Sequence, residues 1–135
     1  MGLLAALLLC CAACGASGPR LYPVQGKVLF DDAPPVGATV VLHPIDGPVG
    51  ALTPSGNVEA DGGFRLRTHP HGEGAPPGEY AVVVSWFPPN AREVENPRNK
   101  LPTRYGDPKT TPLPKVTIPE APTTLETFRL TKSTK

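Results

Sequence analysis

Cysteine, histidine and a spaced set of arginines are the residue types in this chain with chemistry beyond folding. His69-Pro70-His71 sets two imidazoles at i and i+2, so an extended backbone would turn both to one side and could offer a metal ion two nitrogens. A metal site takes three or four ligands. The nearest further candidates are Glu73 and His43, and nothing in their spacing makes them converge. The histidines are therefore read as solvated, with no metal and no other cofactor expected. The cysteines are Cys10, Cys11 and Cys14, and none follows. The rest of the chain has no internal disulfide, thiolate ligand or thiol nucleophile to draw on. It also has no serine elbow, no phosphate-binding loop and no carboxylate pair in a Pro-free context. The chain is not read as an enzyme.

A second set of residues has chemistry suited to contact. Trp86, Phe87 and Tyr105 stand in or beside the stretch 87–114, together with Arg92, Arg98 and Arg104. Connections longer than about 15 residues are either functional or loosely ordered. One reading is a Pro-stiffened crossover packed along the edge of the fold. The other is a recognition loop, in which the aromatics give apolar contact and the arginines orient a protein or a polysaccharide.

The N-terminus carries the third signal. Every charged residue lies at or after Arg20, and the chain is apolar from Gly2 to Cys14. That run is shorter than the ~20 residues needed to span a hydrocarbon layer, but it fits the apolar part of an export signal. Ala12-Ala13-Cys14-Gly15 resembles the lipobox of bacterial lipoproteins, where small residues precede the Cys that takes the diacylglycerol. It departs from that pattern in having Cys11 where Leu is usual and no Lys or Arg before the apolar run. The alternative is a plain secretory signal cut near Ala13 or Ala16. The expected organisation is a signal peptide over 1–13, lipid attachment at Cys14, a tether over 14–21 and one domain over 22–135. Such a chain is exported and held to a membrane of the cell envelope, the outer membrane being the expected one.

Composition limits what that domain can be. With 19 Pro and 14 Gly among 135 residues, and Pro costing about 3 kcal/mol inside a helix, a helical domain is excluded. The length supports one core. A formal net charge of +1, without a basic cluster, excludes the electrostatic footprint of a nucleic-acid binder.

Short β-type runs separated by turns then account for the chain. Val24–Phe30 alternates, with Val24, Val28 and Phe30 on one face. Ala38–His43 is β-branched at its centre and stops at Pro44. Asn57–Glu59 and Phe64–Arg67 are predicted to pair as a hairpin through Asp61-Gly62, the dipeptide of type I′ turns, with Phe64 and Leu66 inward and Arg65 and Arg67 outward. Glu79–Trp86 contains the unbroken apolar run Tyr80–Val84 and is predicted to be a central strand covered on both sides. Lys115–Ile118 and Thr124–Leu130 are the last two. About seven strands with frequent turns predict an all-β sandwich of the immunoglobulin-like or transthyretin-like kind.

Val24-Gln25-Gly26-Lys27-Val28, Pro34-Pro35-Val36-Gly37-Ala38-Thr39-Val40, Asp61-Gly62-Gly63-Phe64 and Pro77-Gly78-Glu79-Tyr80 follow one another in this order. Together they resemble the carboxypeptidase regulatory-like domain, a transthyretin-like sandwich, with Pro35 standing where that family usually has Leu. The resemblance covers Pro23 to Val84. Leu101–Pro108 is similar to a segment of small bacterial lipoproteins of this type. The resemblance implies an accessory module, which in this family is often said to have a carbohydrate-binding-like fold. Pro77-Gly78 suits a type II turn, with Pro at its second place and Gly at its third, and the Tyr80 ring is read as lying in the core with its hydroxyl on backbone near that turn. Transthyretin-like chains also include 5-hydroxyisourate hydrolases, whose C-terminal Tyr-Arg-Gly-Ser motif is missing here. The expected function is a non-catalytic interaction or structural module of the envelope. A carbohydrate-binding module is the alternative, favoured if Trp86 is exposed beside Tyr105. The candidate binding surface is Trp86, Phe87, Arg92, Arg98, Arg104 and Tyr105.

Overall fold

The computed structural model describes residues 19–47, 50–90 and 92–132. Cys14, the signal peptide and most of the tether lie outside the described residues. Prolines and turn glycines keep the strands short, and two sheets assemble from them.

The first sheet is built on β1 (Val24–Phe30), with β4 (Gly63–Arg65) antiparallel on one edge. Its other edge takes β9 (Thr123–Thr124) and β10 (Phe128–Leu130), both parallel to it. The second sheet has the order β6 (Gly72–Glu73), β5 (Arg67–Thr68), β3 (Ser55–Asn57), β2 (Thr39–Pro44), β7 (Gly78–Ser85), β8 (Val116–Ile118). This is the expected all-β sandwich.

β1 keeps its predicted bounds and its inward face. Val24 and Val28 are buried and Phe30 packs against the core from its margin. Phe64 crosses β1 at Gly26, where a Cβ would come within 2.6 Å of the Phe64 ring, and stacks on Phe128 with centroids 6.2 Å apart. From the facing sheet Val40, Leu42, Val82, Val84 and Ile118 complete the core. β7 is central between β2 and β8, and Tyr80–Val84 are all buried. The Tyr80 hydroxyl donates to the Pro76 carbonyl at 2.7 Å, the contact expected of it. Burial holds that phenol above its ordinary pKa.

Three local expectations are corrected. The hairpin expected of residues 57–59 and 64–67 forms only in part: Glu59 N–H donates to the Gly63 carbonyl at 2.8 Å and Ser55 pairs antiparallel with Arg67, but between them β4 pairs with β1. The chain reverses at Asp61-Gly62, where Gly62 has φ +87° and donates to the Glu59 carbonyl, and the second arm joins the first sheet through β4 before returning to the second through β5. The turn with positive φ at both centres lies instead at Asp31-Asp32, between Phe30 and Ala33, which bond reciprocally at 2.7 and 3.1 Å. Second, Thr124–Leu130 is not one strand. Leu125 sits over Gly26, and its neighbours leave the ladder between β9 and β10. Third, Gly78 has φ +148°, far from the about +80° of a type II turn, and opens β7 directly.

Candidate functional site

The stretch 87–114 resolves into two parts that meet at Asn99. The Asn99 side-chain oxygen accepts from Trp86 N–H at 2.8 Å and from Leu101 N–H at 3.1 Å, and Lys100 N–H donates to the Trp86 carbonyl at 2.7 Å. These bonds bring the chain back to where it left β7. Residues 87–98 therefore form an excursion closed at its neck, of the compact kind whose ends lie close together.

The second part, 99–114, is a strap that belongs to the fold. Leu101, Tyr105 and Leu113 are buried in the core, with Tyr105 on a 3-10 turn over Thr103–Gly106. The Tyr105 hydroxyl accepts from Thr131 N–H at 2.9 Å, just past β10. Arg104 stacks its guanidinium 4.7 Å from the Tyr105 ring centre and donates to the Thr131 carbonyl. Strap and last strand are thereby tied together. Burial pushes the Tyr105 phenol up, and the Thr131 and Arg104 hydrogen bonds with the Arg104 charge outweigh it, so its pKa is lowered. Tyr105 and Arg104, read from sequence as partner contacts, are engaged inside the fold. Packing that depends on Thr131 could not be read from the strap alone.

Of the other members of the set, Trp86 stands at the neck, Phe87 follows it, and Arg92 and Arg98 lie on the excursion. Trp86 is half-buried, sets its ring at 79° to Phe30 with centroids 6.2 Å apart, and donates its indole N–H to the Val36 carbonyl at 2.9 Å. The Lys100 ammonium lies 4.7 Å over the indole. Phe87, Arg92 and Arg98 are exposed, and the two arginines make no ion pair among the described residues. Two residues passed over in the sequence are exposed as Phe87 is. Val36 is 51% exposed, Phe87 44% and Val94 40%, and these are the exposed large hydrophobics among the described residues. The signal was there: Val36 follows two prolines in a turn and Val94 stands between Glu93 and Glu95, neither position having a core to enter.

The place of this cluster follows from β1. Its seven residues extend about 20 Å, from Val24, where the chain enters the fold, to Phe30, which touches Trp86. The tip and the point of entry are opposite poles. His69 and His71 are exposed and His43 is half-buried. Among the described residues no three His, Cys, Asp or Glu side chains are grouped to hold a metal ion. Among the same residues no helix is long and apolar enough to cross a membrane. Comparison with models of known protein families, with curated proteins and with solved structures finds no match in any of the three.

Proposed function

We propose that this is an exported protein anchored by lipid at Cys14, whose sandwich is a non-catalytic module of the cell envelope that engages a protein partner through the tip. The resemblance of its turn and strand motifs to the carboxypeptidase regulatory-like domain agrees with an accessory role. One observation carries the reading. The exposed large hydrophobics Val36, Phe87 and Val94 all lie on the excursion or at its neck, at the pole opposite the chain's entry, with Arg92, Arg98 and Lys100 among them. Exposed apolar side chains interspersed with charges of both signs on one loop suit a protein contact. A saccharide platform needs an open indole face. Trp86 has Phe30 edge-on, its N–H bonded to Val36 and Lys100 over its ring, which favours a protein over a polysaccharide.

The test compares the full chain with a variant carrying Val36→Ser, Phe87→Ser, Arg92→Ala and Arg98→Ala, all at exposed positions. The variant should melt within a few degrees of wild type, since surface changes stay near ±0.5 kcal/mol each, yet be retained less on purified envelope material. Equal retention would remove the tip from the reading. Separately, Cys14→Ser should abolish labelling by a fatty-acid probe and release the chain from membranes, and persistent labelling would refute the anchor.

A further inference from the structure

The pole where the chain enters carries a groove of about 520 Å³, lined in part by Pro23 and Val24. The segment from β4 to β5 builds its wall. Arg65 pairs with Gln25 in the first sheet and Arg67 pairs with Ser55 and Glu73 in the second, while Leu66 between them is buried and donates its N–H to the Val24 carbonyl. Residues two apart on extended chain share a side, so both guanidiniums face out where Leu66 faces in. Gln25 also pairs with Thr124, which puts an amide and a hydroxyl in the row beside Arg65.

Two carboxylates share this groove, Glu59 and Glu73. Although Arg67 and Glu73 are register partners, they close no ion pair, and none of the four charged side chains has a hydrogen bond or ion pair among the described residues. Asp32 and Arg129, near the other pole, do close one at 3.4 Å. A polyanion would meet two carboxylates here and a simple cation two guanidiniums. The complementary ligand carries both signs a few bonds apart. Guanidinium forks match phosphate oxygens, and carboxylates match an ammonium.

We propose that this groove binds the headgroup of a zwitterionic phospholipid of the phosphoethanolamine type, with Arg65 and Arg67 on the phosphodiester and Glu59 and Glu73 on the ammonium. The source of that headgroup rests on the lipid-anchor reading. Pro23 is nine positions beyond Cys14, a span of at most about 30 Å, so an anchored chain keeps its entry pole at the headgroup layer. Tethering raises the effective concentration there, and a weak site suffices. Occupied, the groove seats this pole on the bilayer and turns the Trp86 tip outward.

The test is equilibrium dialysis of the full chain, in nonionic detergent, against four soluble probes: glycerophosphoethanolamine, glycerol 3-phosphate, inorganic phosphate and ethanolamine. Glycerophosphoethanolamine should bind saturably and about tenfold tighter than each single-sign probe, the worth of one added charge-assisted hydrogen bond. Arg65→Gln with Arg67→Gln, and Glu59→Gln with Glu73→Gln, should each remove that advantage, with circular dichroism checking that the exposed changes leave the fold intact. Equal binding of phosphate or of ethanolamine, absence of saturation, or unaltered binding in both double variants would overturn the proposal. Vesicles of phosphatidylethanolamine with phosphatidylcholine, against phosphatidylcholine alone, separate a lipid source from a free solute: binding to the soluble headgroup without preference for the first vesicles refutes the membrane role. The dialysis is independent of lipidation, so a failed anchor and a failed groove give different results.

Discussion

Phe64 does three things at once, which makes it the residue to test. It fills the space left by Gly26, stacks on Phe128 of the last strand, and is the middle rung of the ladder that joins β4 to β1. It is 2% exposed. Phe64→Ala removes a ring that backbone on either side cannot collapse to replace, so it should cost about 3 to 5 kcal/mol, as large truncations in packed cores do. Urea unfolding measures it, and a loss below about 1 kcal/mol would mean that the ring is not part of the core. No disulfide is available after Cys14 to soften the loss.

At the scale of elements, the division of 87–114 depends on one side chain. Asn99 accepts two backbone N–H groups at the neck, from Trp86 and Leu101. Asn99→Ala leaves both donors without that partner, and each part-buried N–H so orphaned costs about 1 to 3 kcal/mol unless water reaches it. Because the strap is held independently by Leu101, Tyr105 and Leu113, the loss should be felt mainly in the excursion. Limited proteolysis should then cut within 87–98 faster than in wild type while the strap stays intact. Cleavage appearing first within 100–114 would show that the neck anchors the strap and not the excursion.

For the whole molecule, the decisive contact joins the two ends of the sandwich. β1, the first strand, holds β9 and β10, the last two, along a single edge. Such pairings close nearly the whole chain into a loop before any of their contacts form, which predicts slow folding and an all-or-none core. A chain ending after Pro122 loses Phe128 and Leu130 from the core and the Thr131 groups that Tyr105 engages. It should show no cooperative thermal transition by circular dichroism. A sharp melt close to that of the full chain would show that the remaining strands close a core unaided.

What the sequence determined by itself is what acts over a few residues. Alternation fixed the bounds and inner face of β1, and the unbroken run Tyr80–Val84 marked the buried central strand, because burial and pleat both act at the level of neighbouring side chains. The Tyr80 hydroxyl, four residues from its acceptor, was within the same reach. Tertiary structure decided the rest. Asp61-Gly62 turns the chain, but how far the two arms pair depends on β1, which takes β4 before β5 rejoins β3. Tyr105 looked like a surface aromatic until Thr131, 26 residues on, was placed against it. Hydrogen bonds and burial between distant segments leave no periodicity in either segment alone, so the tip, the strap and the groove became distinct only when the sheets had closed.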